Sequence, residues 1–207
     1  MNDYHSKYFD SINQGLTSSI YFNNKSKVDS GLFFKEIDEI ILKLRECKSR
    51  IFFFGNGASA AFANHMALDF TKNGGIRSLS LSDSALITAL SNDYSYETAM
   101  KEFLKIEGVN ESDLVITISS SGNSPNIVSV LEFCIENEIK TLSLSGLKPD
   151  NKSIENANFS IYVPMKTYGI VECIHQIFLH LILDKSMGIK EWDRDSFQNM
   201  SALNFNL

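Results

Sequence analysis

The sequence IFFFGNGASAAFANHMALDF, residues 51–70, decides how the rest of the chain is read. Four large apolar residues and a glycine open it, a pattern typical of a short strand buried on both faces. Small and polar residues follow at 55–59, and a helical pattern then carries His65 and Asp69. Because residues four apart share a face of a helix, this imidazole and carboxylate are predicted neighbours. The stretch therefore indicates a ligand site where a buried strand ends and a helix begins.

The same alternation of apolar runs and helical patterns continues along the chain. Further strands are predicted at 77–81, 112–123, 139–146 and 158–164, and helices at 1–22, 31–48, 59–72, 95–106, 125–138 and 168–186. Strands that alternate with helices of this length are typical of βαβ units. We expect an α/β fold: a single domain with a parallel, five-stranded, doubly wound sheet flanked by helices.

The domain is expected over residues 31–187, with an N-terminal helix within 1–30 and a tail at 188–207. Apolar stripes on the helices 1–22 and 31–48 exceed what one small sheet needs for cover. We therefore expect these helices to pack between subunits of a homo-oligomer, a dimer or a tetramer.

Composition excludes several classes of protein. A net charge of −6 without a basic block gives no sign of a nucleic-acid surface. Cys47, Cys134 and Cys173 are odd in number and form no CxxC pair, which argues against a disulfide framework. No apolar run approaches a membrane span and no signal-peptide pattern opens the chain, so we expect a cytoplasmic protein.

Two loops rich in small hydroxylic residues follow predicted strands, at 55–59 (GNGAS) and 119–124 (SSSGNS). In parallel sheets, ligands bind beyond the carboxyl ends of strands, where helix N-termini offer free N–H groups to a phosphate. Such residues also dominate ordinary turns, which is the alternative interpretation. Neither loop is a GxxxxGK[ST] motif, and GNGASA lacks the last glycine of GxGxxG, so nucleotide binding is disfavoured.

Histidines and carboxylates recur on two predicted helices. His65 and Asp69 share one, and Glu172, His175 and His180 lie on the other. At about 100° per residue, Glu172 and His180 share one broad face two turns apart, whereas His175 and His180 cannot point at the same atom. A lone histidine on an apolar helix is often a hydrogen-bonded core residue, but a carboxylate in an apolar stretch needs a partner. The cluster is suited to acid–base catalysis or to zinc, and spacing alone does not separate these.

Four stretches, GNGASAAFANH, LSNDYSYE, SDLVITISSSGNSPNI and VECIHQIFLHLIL, together resemble the sugar isomerase (SIS) domain, in particular the bacterial phosphoheptose isomerases. The resemblance covers residues 30–187. It implies isomerisation of sedoheptulose 7-phosphate to D-glycero-D-manno-heptose 7-phosphate for lipopolysaccharide or capsule heptose synthesis. It also implies homotetramers with active sites between subunits.

Site residues follow from the matching motifs. The resemblance implies that the phosphate and nearby hydroxyls are held by Ser59, Ser119, Ser120, Ser121 and Ser124, and that the sugar contacts Asn56, Gly57, Asp93 and Glu172. It implies a Zn²⁺ ion bound by His65, Asp69, Glu172 and His180. Asp69 is then the base and His180 the acid of an enediol mechanism, with Glu172 as the alternative base.

Three positions depart from the family pattern. Asp69 stands where the family has a glutamate, Glu172 where it has a glutamine, and Ile170 where it has an arginine that anchors substrate. A shift of about 1 Å in a catalytic group can cost about a hundredfold in rate. We therefore expect a divergent member, and an isomerase of another sugar phosphate is an alternative.

Two further alternatives are non-enzymatic. One is an SIS scaffold that binds the replication initiator, which retention of His65, His180 and both carboxylates argues against. The other is a sugar-phosphate-sensing regulator, which usually carries a DNA-binding region of about 80 residues. Only about 30 residues precede this domain, and they lack a basic recognition helix.

Overall fold

The computed structural model describes residues 3–193, in which seven strands and eight α-helices alternate. The strands are β1 Ile20–Asn23, β2 Ser26–Val28, β3 Ile51–Gly55, β4 Ser78–Ser80, β5 Leu114–Ser119, β6 Lys140–Gly146 and β7 Phe159–Val163. The helices are α1 Tyr4–Thr17, α2 Ser30–Cys47, α3 Ala58–Lys72, α4 Ser84–Asp93, α5 Ala99–Ile106, α6 Pro125–Glu136, α7 Lys152–Glu155 and α8 Tyr168–Met187, followed by a 3₁₀ turn at Glu191–Asp193. The rest of the expected tail, residues 194–207, and residues 1 and 2 lie outside the described part.

All strands form one sheet in the order β2-β1-β7-β6-β5-β3-β4. The five strands from β3 onward run parallel, as predicted. Their apolar side chains alternate between two cores: Phe53 faces α2, α3 and α8, whereas Phe52 and Phe54 face α5 and α6. Helices on both faces confirm the doubly wound α/β prediction.

The predicted count of five strands is wrong, because the sheet has seven. Residues 20–22 were expected to continue the first helix, but that helix ends at Thr17 and the chain turns into the hairpin β1–β2. Asn24 and Lys25 form its two-residue loop with φ of 45° and 68°, a conformation that suits the twist of antiparallel strands. β1 then pairs antiparallel with β7 and extends the sheet at that edge.

Helix α2 shows how local sequence places an element. The carboxylate of Asp29 accepts a hydrogen bond from Leu32 N–H at 3.0 Å and caps the helix. Phe33, Ile37 and Ile41, one turn apart, are buried against the sheet.

The chain order of the strands creates a topological switch point between β3 and β5. From β3 the chain moves outward to β4, then returns to the other side of β3 for β5. Ligands bind at such points in open parallel sheets, because the loops that leave the two neighbouring strands diverge there. The loops at 55–59 and 119–124 are these two loops.

Candidate active site

The two loops are joined by a pair of side-chain amides. Asn56 Nδ2 donates to Asn126 Oδ1 at 3.0 Å, and Asn126 Nδ2 donates back to Asn56 Oδ1 at 2.8 Å. Asn56 follows β3 and Asn126 lies in the first turn of α6, so the bonds connect residues 70 positions apart in sequence. The structure thus brings together the two loops that the sequence identified separately.

Glycine is required in the first loop for two different reasons. A Cβ on Gly55 would lie 2.5 Å from the backbone carbonyl of Ser59, so only glycine lets β3 approach the start of α3 this closely. Gly57 has φ of +57°, a left-handed conformation that is costly for other residues, and it precedes α3 at an exposed position. The turn buries Ser59, whose N–H donates to the Asn56 carbonyl at 3.0 Å.

The second loop places four serines around the start of α6. Ser119 and Ser120 are 5% exposed, and the Ser119 and Ser124 hydroxyl oxygens lie 3.3 Å apart. Within residues 3–193, the Ser120 hydroxyl is buried without a hydrogen-bond partner. Ser121 Oγ accepts a bond from the backbone N–H two residues later. Several hydroxyl groups therefore converge at this helix terminus.

The capping residues of the helices that leave these loops make no side-chain hydrogen bond to the first turn, as is also true of α5 and α8, although inside α6 the Asn126 side chain accepts the Ile127 N–H. Helices α1, α2, α4 and α7 each begin with an Asp or Asn side chain that accepts a first-turn N–H. At α3 and α6 the capping positions are Gly57 and Ser124, neither of which makes such a bond in the part of the chain described. The positive ends of both helix dipoles thus remain directed at the loops, an arrangement suited to an anion.

A second group of polar residues lies where α3 packs against α8. His65 Nε2 is 3.2 Å from Asp69 Oδ2, and the rings of His65 and His180 are 5.4 Å apart between centroids. Potential ligand atoms of His65, Asp69 and His180 all lie within 4.8 Å of one another. Asp69 is 16% and His65 49% exposed, so the group opens toward solvent. The predicted i, i+4 pair and one predicted partner therefore meet in space.

Glu172 of the same chain is not among these three residues, and its assignment as a fourth ligand stays a prediction. It lies eight residues before His180, which corresponds to about 12 Å of rise along α8. A shared face is therefore not enough to bring two side chains to one ion. His175, on another face, is fully buried and hydrogen bonded to the Ser145 carbonyl at 3.1 Å, in agreement with the core alternative.

Two neighbours of His180 were not predicted from the sequence. Gln176 Nε2 lies 2.9 Å from His180 Nε2, one turn earlier on α8. Asp184 follows one turn later, and its pKa is raised mainly by burial and further by Asp69, against the opposing effect of His180. The i, i+4 spacing on either side of His180 was the signal available in the sequence. An apolar cavity of about 1060 Å³ adjoins all three side chains.

The remaining predicted residue, Asp93, is exposed at the end of α4 and accepts a bond from Asn92 at 3.0 Å. Three residues further, Tyr96 donates its hydroxyl to Asn56 Oδ1 at 2.8 Å. Tyr96 lies in the LSNDYSYE stretch that resembles the family, but no local spacing predicted its contact with Asn56, 40 residues away.

Comparison with known proteins gives concordant results. Residues 33–146 match the family described as the SIS domain. The phosphoheptose isomerase of Aneurinibacillus thermoaerophilus is 34% identical over 191 residues, covering 88% of this chain and 91% of the relative. Phosphoheptose isomerase 2 of Campylobacter jejuni is 34% identical over 148 residues, 69% of this chain and 73% of the relative.

Solved structures agree at the level of the fold. A phosphoheptose isomerase from Francisella tularensis superimposes with a TM-score of 0.75 at 21% identity, over 89% of this chain and 95% of that one. The enzyme from Neisseria gonorrhoeae gives a TM-score of 0.74 at 20% identity, over 88% and 94%. Both support the same α/β architecture.

Proposed function

This chain belongs to the SIS domain family, and we propose that it is a phosphoheptose isomerase. The reaction is the interconversion of sedoheptulose 7-phosphate and D-glycero-D-manno-heptose 7-phosphate, in service of lipopolysaccharide or capsule heptose synthesis. The observation that carries the proposal is the convergence of His65, Asp69 and His180, with ligand atoms within 4.8 Å, in a chain 34% identical to a protein of that name.

The donor set fits a catalytic zinc ion. Catalytic zinc is commonly bound by three protein ligands of histidine nitrogen and carboxylate oxygen, with one position left for substrate. His65, Asp69 and His180 supply that set without Glu172. Asp184 adds a nearby negative charge, whose repulsion by Asp69 a cation would offset. A zinc ion held by His65, Asp69 and His180 would supply Lewis-acid polarisation of the sugar carbonyl.

The two loops hold the phosphate end of the substrate. The hydroxyls of Ser59, Ser119, Ser120, Ser121 and Ser124 and the N-termini of α3 and α6 provide neutral donors. Six residues separate Ser59 from His65, about 9 Å along α3, so a substrate held at the loops extends along α3 toward the reactive groups. Binding at one end thus positions the carbonyl end for chemistry.

Proton transfer is assigned to Asp69 and His180. Asp69 Oδ2 faces His65, which leaves Oδ1 to take the proton from the carbon next to the carbonyl. His180 donates a proton to the adjacent carbon of the resulting cis-enediol, and the proton of the neighbouring hydroxyl passes to the oxygen of the former carbonyl, which completes the aldose. Glu172 remains a candidate to contact the sugar rather than to act as base, since it lies about two turns away along α8.

One departure from the family has a structural explanation. Ile170 is 5% exposed and packs in the core between the sheet and α8. The anchoring arginine that the family carries here is therefore replaced by an apolar contact, and substrate binding depends more heavily on the serine loops. This supports a divergent member of the family.

We propose in addition that the chain forms a homotetramer in the cytoplasm. Large apolar side chains are exposed on helices α1, α3 and α8, among them Phe9 (67%), Leu68 (58%) and Leu181 (38%). Such exposure is typical of a surface that a second subunit covers. All three cysteines are free thiols, in keeping with a reducing compartment. No helix within residues 3–193 has the length and apolarity to cross a membrane.

The test measures metal content and turnover together. The purified protein is expected to hold about one zinc per chain by elemental analysis and to convert sedoheptulose 7-phosphate until a chelator removes the metal. Asp69→Asn, which keeps size and removes charge, should lose about 10²–10⁴ in kcat and more in metal affinity than the roughly 10–100-fold that loss of an outer-shell partner costs.

Glu172→Gln is the matched control, because it makes the same chemical change on the neighbouring helix. It should retain the metal. A wild-type protein that holds no metal and turns over no sedoheptulose 7-phosphate would contradict the proposed function. Equal metal loss in both variants would contradict the three-ligand site.

A further inference from the structure

A chain of hydrogen bonds fixes which atoms the loops at 55–59 and 119–124 present to a sugar. It begins at the backbone N–H of Ile127, which donates to Asn126 Oδ1 at 3.0 Å. A backbone N–H is only a donor, so it determines which end of the Asn126 amide is the oxygen. Asn126 is 2% exposed and held in the first turn of α6, so its amide is fixed before any ligand arrives.

The orientation of Asn126 then determines that of Asn56. With its oxygen toward Ile127, Asn126 presents Nδ2 as a donor and Oδ1 as an acceptor to Asn56. Asn56 must therefore accept from that donor with Oδ1, at 2.8 Å, and donate to that acceptor with Nδ2, at 3.0 Å. The reverse orientation of Asn56 would place its Nδ2 against the Nδ2 of Asn126 and its Oδ1 against the Oδ1 of Asn126, so that donor faces donor and acceptor faces acceptor.

The orientation of Asn56 in turn determines the role of the Tyr96 hydroxyl. Tyr96 Oη lies 2.8 Å from Asn56 Oδ1, which is an acceptor only, so the tyrosine donates. Asn56 Oδ1 then has both lone pairs engaged, by Tyr96 and Asn126, and one Nδ2–H engaged by Asn126. One N–H of Asn56 and the lone pairs of Tyr96 Oη remain for a ligand.

We propose that Tyr96 is a specificity-determining residue that accepts a hydrogen bond from a sugar hydroxyl, and that Asn126 is the positioning residue which fixes this polarity. Tyr96 Oη accepts from a sugar hydroxyl, and the free N–H of Asn56, on the opposite edge of the amide, donates to a different oxygen of the ligand. Tyr96 is 57% exposed at the rim of the loops, so its oxygen is reachable. The class of ligand selected is a polyhydroxylated phosphate ester with a hydroxyl near the phosphate, and inorganic phosphate makes no use of the pair.

The inference rests on the proposed function, and its test measures binding rather than turnover so that the two can fail separately. Isothermal titration of the full chain compares sedoheptulose 7-phosphate with inorganic phosphate. Tyr96→Phe should weaken the sugar phosphate about tenfold, the effect of one hydrogen bond, and leave inorganic phosphate unchanged. Tyr94→Phe, a neighbouring tyrosine that is 59% exposed, is the matched control and should change neither.

A double-mutant cycle tests the role of Asn126. In an Asn126→Ala background the Asn56 amide is free to rotate, so the further change Tyr96→Phe should weaken the sugar phosphate by less than about threefold. The same tenfold loss in both backgrounds would overturn the positioning role.

Two outcomes separate the inference from the function. Tight sugar-phosphate binding that Tyr96→Phe leaves intact, or an equal loss for inorganic phosphate, overturns the inference alone. A wild-type chain that binds neither ligand overturns the function and the inference together.

Discussion

Titration of His175 should make the stability of the protein depend on pH below neutrality. Its ring is completely buried in α8, and burial lowers its pKa from 6.5 to about 4, against the smaller effect of the bond to the Ser145 carbonyl. Between these values the unfolded chain binds a proton that the folded chain cannot. Stability is therefore full above the unfolded pKa and falls as the pH drops toward the folded one. A difference of roughly 2.5 pKa units corresponds to about 3 kcal/mol, of which about 2 kcal/mol should be lost between pH 7 and pH 5.

Urea unfolding at the two pH values measures this loss, and His175→Gln provides the comparison. Glutamine keeps an N–H group for the Ser145 carbonyl but does not titrate in this range. The free energy of unfolding of the variant should fall by about 2 kcal/mol less than that of the wild type. An NMR titration of the wild-type ring gives an independent check, since its signals should not shift before about pH 4. An equal pH dependence in both proteins, or a ring that titrates near its ordinary pKa of 6.5, would refute the reasoning.

Two further predictions concern the backbone at the site and an ion pair away from it. Gly122→Ala should lower the free energy of unfolding by about 3 kcal/mol and weaken phosphate binding, because φ is +64° and a Cβ would collide with the Asn151 side chain. The control is Gly108→Ala, where φ is +60° but the space is open. It should lower the free energy of unfolding by only about 1 kcal/mol and leave phosphate binding unchanged. Asp113→Ala should cost about 3–5 kcal/mol in chemical denaturation, since it leaves Arg50 without the carboxylate at 2.7 Å. Turnover by the folded fraction should persist, because this pair lies at the amino ends of β3 and β5, opposite the loops of the site, and lost turnover would contradict the placement of the site.

Much of the fold could be predicted because its core strands are continuous apolar runs. Four of the five predicted strands, apart from the short β4, are wholly or almost wholly buried, so their sequences carry an unambiguous signal. The hairpin β1–β2 was missed for the opposite reason: its residues are half buried or exposed, and its turn contains no glycine. Helix α4 was missed because its single buried residue, Leu90, leaves little periodicity to detect.

The candidate site was predictable in its parts and not in its assembly. Spacing along one helix predicted His65 beside Asp69, a contact the structure shows at 3.2 Å. That His180 joins them depends on how α8 packs against α3, which no local pattern specifies. Glu172 of the same chain stands apart from these three residues because two helical turns separate it from His180, even on a shared face. Tyr96 and Asn126 lie in stretches that resemble the SIS domain, but their contacts with Asn56 depend on how the sheet brings the loops together, which no local pattern specifies.

Helix α3 links the two halves of the site, and its register is fixed by Gly55. The helix starts where Gly55 allows β3 to lie against the carbonyl of Ser59, at a separation that no side chain fits. Each residue of slip at this start would rotate His65 by about 100° around the helix and move it about 1.5 Å along the axis. Its contacts with Asp69 would travel with the helix, but those with His180, which stands on α8, would not. Gly55, which shapes the loop at 55–59, therefore also determines whether the His65 ring reaches His180 across the interface between α3 and α8. Binding and chemistry in this site depend on one close approach of the backbone.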